Sequence, residues 1–227
     1  METIKNYYEE LYKKHGYSPK SLGWDKGKQF LRFHQLTSEF NLNNSSVLDI
    51  GCGFGDFINY LNFNKINNFK YVGVDIVEEF VDKASKLYSN KNIKFYKSNF
   101  LDLELNEDFD FGIASGTFNV KIEGLNGYEN IMNNLTKMFN HCSKAVSIDL
   151  LTNRVDYIHS HNFNSDPIKI LEMAYSLSKS VVLKNNYFPF EFSITIFKDD
   201  SFRKDTTTYK YLEKELSWLD IKNHFKH

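Results

Sequence analysis

The stretch Val47-Leu48-Asp49-Ile50-Gly51-Cys52-Gly53-Phe54-Gly55-Asp56 constrains this chain more than any other. A short apolar run reads as a strand buried on both faces. It ends in glycines at alternate positions, then passes into residues with helical spacing. Glycine suits such a turn, because the backbone bends sharply and a ligand approaches with no Cβ in its way. The next apolar run, Tyr71-Val72-Gly73-Val74-Asp75, ends in a carboxylate about 20 residues after Gly55, the spacing at which an acidic side chain meets a ribose in open α/β sheets.

The rest of the chain repeats the alternation. Helical spacing covers 3–14, with Ile4, Tyr7, Tyr8, Leu11 and Tyr12 on one face, and 25–40, with Phe30, Phe33 and Leu36. After the glycine turn come helices at 55–63, 78–88 and 128–141, and strands at 93–96, 109–114 and 145–151. Pro167 suits the first turn of a helix reaching about 178, since its missing N–H costs nothing there. Strands at 181–183 and 192–197 have only a short segment between them, so they pair antiparallel. These signals predict an α/β, doubly wound sheet of seven strands in the order 3-2-1-4-5-7-6, with the last strand antiparallel. The expected division is one domain over 1–227, with an N-terminal helical lid at 1–44, a sheet core at 45–198 and a C-terminal helical extension at 199–227. In that extension Tyr209, Leu212, Leu216 and Leu219 share a face.

Composition excludes several classes. With 227 residues the chain has enough length for a core without covalent staples. A net charge of −1 gives no strongly basic face for nucleic acid. Two cysteines, Cys52 and Cys142, write no disulfide framework, and the polar N-terminus and short apolar runs give no leader or membrane span. The expectation is a cytoplasmic protein with no membrane and no nucleic-acid partner; its oligomeric state is not readable. Asp156, His159, His161 and Asp166 have a metal-like composition but no ligand spacing that a metal motif uses, so no metal is expected.

The glycine spacing selects a cofactor. Dinucleotide sites read G-x-G-x-x-G, with a pyrophosphate at the helix N-terminus. Here the spacing is G-x-G-x-G with Asp49 two residues before it, a pattern that suits S-adenosylmethionine, which carries no phosphate. Asp49 then faces the cationic methionine end, Gly51, Cys52 and Gly53 form the turn, and Asp75 accepts the ribose hydroxyls with Ile76 beside it. In class I methyltransferases, whose turn this one resembles, an Asp or Asn after the third strand meets the adenine amino group and the next residue covers the ring; the resemblance implies those roles for Asn99 and Phe100. Ser115, after the fourth strand, and Arg32, as a partner for the cofactor carboxylate, complete the expected cofactor set.

Further matches accompany the glycine turn. They are His15-Gly16-x-Ser18-Pro19 with Leu22-Gly23-Trp24, Arg32-Phe33, Ala114-Ser115-Gly116-Thr117-Phe118-Asn119, Val155-Asp156-Tyr157, Asp166-Pro167, Val181-Val182-Leu183 and Glu191-Phe192. Over residues 7–198 the sequence resembles a bacterial family of class I S-adenosylmethionine-dependent methyltransferases, in its small-molecule branch. The resemblance implies the fold and the cofactor. It also implies an acceptor from surface-polysaccharide or nucleotide-activated sugar pathways, including O-methylation of capsular phosphoramidate. Residues 199–227 lie outside the shared pattern.

Methyl transfer from a sulfonium is an in-line attack, so alignment and exclusion of water matter more than a fixed catalytic motif. His15, Tyr17 and Tyr157 are the candidate catalytic groups for a hydroxyl acceptor. Acceptor contacts are expected from a lid carrying Tyr7, His15 and Trp24, and from Asn119, Arg154, Tyr157 and Tyr187 on loops beyond the strand ends. Two other readings stand beside this one. Tyr175 and Lys179 have the Tyr-x-x-x-Lys spacing of NAD(P)-dependent short-chain dehydrogenases. A non-catalytic adenosylmethionine-binding protein would keep the same fold.

Overall fold

A computed structural model describes residues 2–23, 28–205 and 207–212. Helix α1 (Glu2–His15) and a 3₁₀ turn at Pro19–Leu22 precede α2 (Gln29–Thr37). The alternating part follows: β1 (Ser46–Ile50), α3 (Asp56–Phe63), β2 (Lys70–Asp75), α4 (Glu78–Leu87), β3 (Ile93–Lys97), β4 (Phe109–Ala114), α5 (Gly127–His141), β5 (Cys142–Leu151), α6 (Pro167–Tyr175), β6 (Val181–Lys184) and β7 (Glu191–Phe197). The seven strands form one sheet in the order β3-β2-β1-β4-β5-β7-β6. All pairings are parallel except those of β7 with β5 and β6. Fold class and strand order are therefore those the sequence predicts.

Alternation sorts each strand's side chains to opposite faces. Leu48, Ile50, Val146, Ile148 and Leu150 pack with α5 and α6, while Val47, Phe111, Ile113 and Ala145 pack with α2 and α3. The α2 side of β5 and β7 carries Ser147, Asp149, Ser193 and Thr195, all buried. Such a polar stripe persists only if its groups are paired. Ser147 and Thr195 bond each other at 2.9 Å, and Arg32 of α2 reaches Glu191 at the start of β7.

Caps fix the helix entries. The Asn126 side chain accepts from Tyr128 N and Glu129 N at the head of α5. Asp166 accepts from Ile168 N ahead of Pro167, as the first-turn reading of that proline requires. The expected C-terminal helix needs correction where it is described. Residues 207–209 are not helical: Thr207 has φ 55, Tyr209 bridges Phe202 in antiparallel fashion, and only a 3₁₀ turn at Lys210–Leu212 follows. Tyr209 and Tyr211 instead stack, and Tyr211 lies on Phe197, so aromatic contact outweighs the helical spacing there. Residues 213–227 lie outside the described part. Among the described residues no helix is long and apolar enough to cross a membrane.

Candidate functional site

The adjacent strands β2, β1 and β4 all point their C-terminal ends at one cleft, which encloses about 1060 Å³ when the open space at its mouth is included. The glycine turn forms its floor. Gly51 has φ 71 and Gly55 φ 76, a backbone region that side chains rarely adopt. A Cβ on Gly51 would lie 2.4 Å from Thr117 Oγ1, so the β1 turn and the loop after β4 approach as closely as only glycine allows.

Two buried carboxylates face this floor. Asp75 accepts Gly53 N on Oδ2 and Val77 N on Oδ1, each at 2.9 Å. Both oxygens keep a lone pair for further donors. Burial pushes its pKa up, against those backbone bonds. Asp49 takes the Tyr71 hydroxyl at 2.7 Å, and burial raises its pKa to about 7, the nearby Asp75 adding to the shift. Its desolvated carboxyl is stabilised as an anion by an incoming cation. Cys52 is buried, and burial holds its thiol well above the ordinary range, so the cysteine packs the turn and carries no thiolate.

Several elements border the cleft on its other sides. The exit of β3 supplies Ser98, Asn99 and Phe100; the loop after β4 supplies Ser115, Gly116 and Thr117; and α1 lays Ile4 and Tyr8 across the top. Helix α1 is held there by rings: Tyr8 and Tyr12 pack edge-on against Phe80, and Tyr12 also meets Phe54. The loop after β4 is held from behind. Asp149 on β5 accepts Ser115 Oγ at 2.8 Å and Gly116 N at 2.7 Å, and Thr117 Oγ1 donates to Ile50 O at 2.7 Å. Burial, with Glu191 nearby, raises the Asp149 pKa to about 7.

Nine of the expected cofactor residues thus line one cleft: Asp49, Gly51, Cys52, Gly53, Asp75 and Ile76 at the floor, Asn99 and Phe100 at the β3 exit, and Ser115 after β4. Arg32 does not line it. Its Nε donates to Glu191 Oε2 at 2.7 Å, its Nη2 pairs with Oε1, and the guanidinium lies over the Phe188 ring. The carboxylate that Arg32 meets belongs to the chain itself. The candidate catalytic groups are not gathered at the cleft. His15 sits in the last turn of α1, Tyr17 rests edge-on against Phe54 with Lys83 over its ring, and Tyr157 is 70% exposed beside His159.

The expected acceptor residues are dispersed. Asn119 is used internally, its Oδ1 accepting from Leu151 N at 2.8 Å. Arg154 is exposed and meets Asp166 at 3.3 Å. Tyr187 is half-buried and does not line the cleft; its enclosed hydroxyl lies beside Ser193, near Asp149 and Arg32. Tyr7 stands on α1 beside Tyr8 and 6.5 Å from the His161 ring. Trp24 lies outside the described residues. Tyr175 is an exposed residue in the last turn of α6 and Lys179 follows the helix, with its N–H on Asp200; neither borders the cleft. The pair is therefore not presented as a dehydrogenase would need it.

Sequence spacing missed Ile4, Tyr8, Gln29, Asn130 and Asn134, all of which border the cleft, whereas Thr117 lies within the Ser115–Asn119 loop expected to meet the acceptor. The i, i+4 spacing of Asn130 and Asn134 is a signal that both share a helix face, but which face turns inward is decided by packing.

Residues 41–181 match a protein-family model described as a methyltransferase domain. A Mycobacterium tuberculosis protein named as a methyltransferase is 29% identical over 161 residues, covering 67% of this chain and 93% of that protein. Among solved structures, magnesium protoporphyrin IX methyltransferase from Synechocystis with bound SAH superposes with a TM-score of 0.61 at 13% identity, over 86% of this chain and 94% of that one. A SAM-dependent methyltransferase from Aquifex aeolicus gives 0.55 at 16% identity, over 80% and 98%. At such identities the structural likeness speaks for the fold.

Proposed function

The chain belongs to the methyltransferase-domain family, whose cofactor is S-adenosylmethionine, and from that premise we propose that it methylates an oxygen of a small polar metabolite. The observation that carries the reading is the cleft itself. Its glycine floor leaves no room for a Cβ opposite Thr117, and two buried carboxylates line it. The donor set fits the cofactor. Asp75 offers two acceptor oxygens to a ribose diol, and Asp49 offers a desolvated carboxyl to the cationic amino-acid end.

When bound, the cofactor supplies an electrophilic methyl group on a sulfonium. Asp75 and Ile76 hold the ribose, the Gly51–Gly53 turn seats the chain leading to sulfur, and Phe100 meets the base. Helix α1 shields the cleft from water through Ile4 and Tyr8, which favours an in-line transfer over hydrolysis. Ser115, Thr117 and Gln29 supply hydroxyl and carboxamide groups near the glycine turn, with Leu22 as an apolar neighbour. That mixture suits a hydroxylated metabolite.

Within that class the acceptor is a sugar, a nucleotide-linked sugar or a phosphoramidate intermediate of surface-polysaccharide synthesis. Support comes from the sequence resemblance and from a row of rings, Tyr7, His161, His159 and Tyr157, that begins next to the cleft-lining Tyr8 and runs outward from it. Flat faces of this kind suit sugar and base rings. The test is an acceptor screen with methyl-labelled cofactor, covering nucleotide-activated sugars, phosphoramidates, small carboxylates and tRNA. Label in a sugar or phosphoramidate is the expected result. Label in tRNA or protein, with none in the small molecules, overturns the acceptor class.

A further inference from the structure

Asn99, the residue at the position expected to read the cofactor's base, is committed elsewhere. Its Nδ2 donates to Asp102 Oδ2 at 2.8 Å and its Oδ1 faces Leu101 N at 3.4 Å, so its carboxamide caps the short 3₁₀ turn Phe100–Asp102. The groups turned to that end of the cleft come from α5 instead. Asn130 and Asn134 stand one turn apart and both border the cleft. Lys137, on the next turn, donates to the carbonyls of Phe100, Leu101 and Leu103 at 2.6–3.0 Å, which clamps α5 to the segment that covers the base.

The orientation of the two amides follows from their bonds. Asn134 is 5% exposed and faces the backbone carbonyl of Asn130 at 2.8 Å. A carbonyl only accepts, so the facing atom is Nδ2. The same Nδ2 donates to Asn130 Oδ1 at 3.1 Å. Both Nδ2 hydrogens of Asn134 are thereby used, and its Oδ1 remains as an acceptor. The Nδ2 of Asn130, turned away from that contact, remains as a donor. Together they make an acceptor and a donor on one helix face.

The geometry points to Asn130 and Asn134 as the residues that read the 6-amino edge of the cofactor's adenine. An aminopurine presents an N–H donor beside a ring-nitrogen acceptor, the complement of this pair. A 6-oxopurine puts an acceptor where the amino group was and faces Asn134 Oδ1 with a second acceptor. The inference rests on the adenosyl cofactor reading and adds which residues set its base specificity.

Binding of S-adenosylhomocysteine and of S-inosylhomocysteine, its 6-oxo analogue, to the whole chain by calorimetry tests this without any acceptor. The wild type is expected to prefer the amino compound by about tenfold or more. Asn134→Leu, which keeps volume, should lose that preference mainly by weakening the amino compound. Asn130→Ala, at a less buried position, should reduce the preference in the same direction if Asn134→Leu fails to fold; the thermal midpoint of each variant reports folding. A wild type that binds both compounds equally, or folded variants that keep the full preference, overturns the inference while the cofactor reading stands. A wild type that binds neither compound overturns both.

Discussion

Gly51→Ala tests the claim that the floor of the cleft is built on close approach. At φ 71 an alanine pays a conformational cost of about 1–2 kcal/mol. Its Cβ would also sit 2.4 Å from Thr117 Oγ1 and 2.7 Å from Cγ2, far inside contact distance. Thr117 must move, which breaks its 2.7 Å bond to Ile50 O, worth about 0.5–1.5 kcal/mol. Crowding of a packed site adds about 1–3 kcal/mol. The expected total is about 3–6 kcal/mol. Thr117→Ala removes Oγ1 and Cγ2 and leaves only Cβ, at 3.0 Å, so most of the steric cost should be relieved in the double variant and the backbone part remain. Urea unfolding of the wild type, both single variants and the double variant closes the cycle, provided the slopes agree. A coupling of about 1–3 kcal/mol in the rescuing direction is expected. Strict additivity of the two substitutions would refute the steric argument.

Three other outcomes follow from the same geometry. Asp75→Ala should weaken S-adenosylhomocysteine binding at least about tenfold, read by calorimetry, because charge-assisted bonds to the ribose are lost; unchanged affinity removes Asp75 from the site. Burial raises the Asp149 pKa to about 7 from an ordinary value of 3.8, so the folded state binds the extra proton between those values and stability falls as pH rises through the window. Asp149→Asn should flatten that dependence by about 1.4 kcal/mol per pH unit, seen in unfolding midpoints between pH 4 and about 7; parallel curves for the two proteins exclude the assignment. Arg32→Leu should cost about 3–5 kcal/mol, because it strands Glu191, whose side chain is only 10% exposed. A loss under about 1 kcal/mol in thermal or urea unfolding would mean that water already screens the pair.

The sheet was legible in the sequence because its signals are local. Val47–Ile50 and Tyr71–Asp75 declare buried strands, and the short joint from Lys184 to Glu191 leaves the last two strands no room for a crossover helix. The glycine turn and Asp75 were legible for the same reason, since their spacing is a property of one β-turn-α-β unit. Arg32 shows where local reading ends. An arginine suits any carboxylate, and the one it meets lies 159 residues away on β7. Tyr8, Asn130 and Asn134 escaped for a related reason. Each lies on a helix whose inward face depends on partners such as Phe80 and the Phe100–Leu103 carbonyls. In the 207–212 segment, stacking of Tyr211 on Phe197 wins over helical periodicity that nothing else supports.

Among the described residues strand β6 pairs only with β7, which follows it in the chain and lies between it and β5. A polypeptide emerging from the ribosome therefore makes β6 before the strand that gives it a place. Until Glu191–Phe197 arrives, the hydrogen-bonding edge of β5 stays open, flanked by Val146, Ile148 and Leu150, all fully buried in the finished sheet. An open edge of that kind is a template for pairing with another chain. Strand β7 closes the edge from within, so nascent chains in which β5 is exposed and β7 is not yet available should be the species most in need of a chaperone.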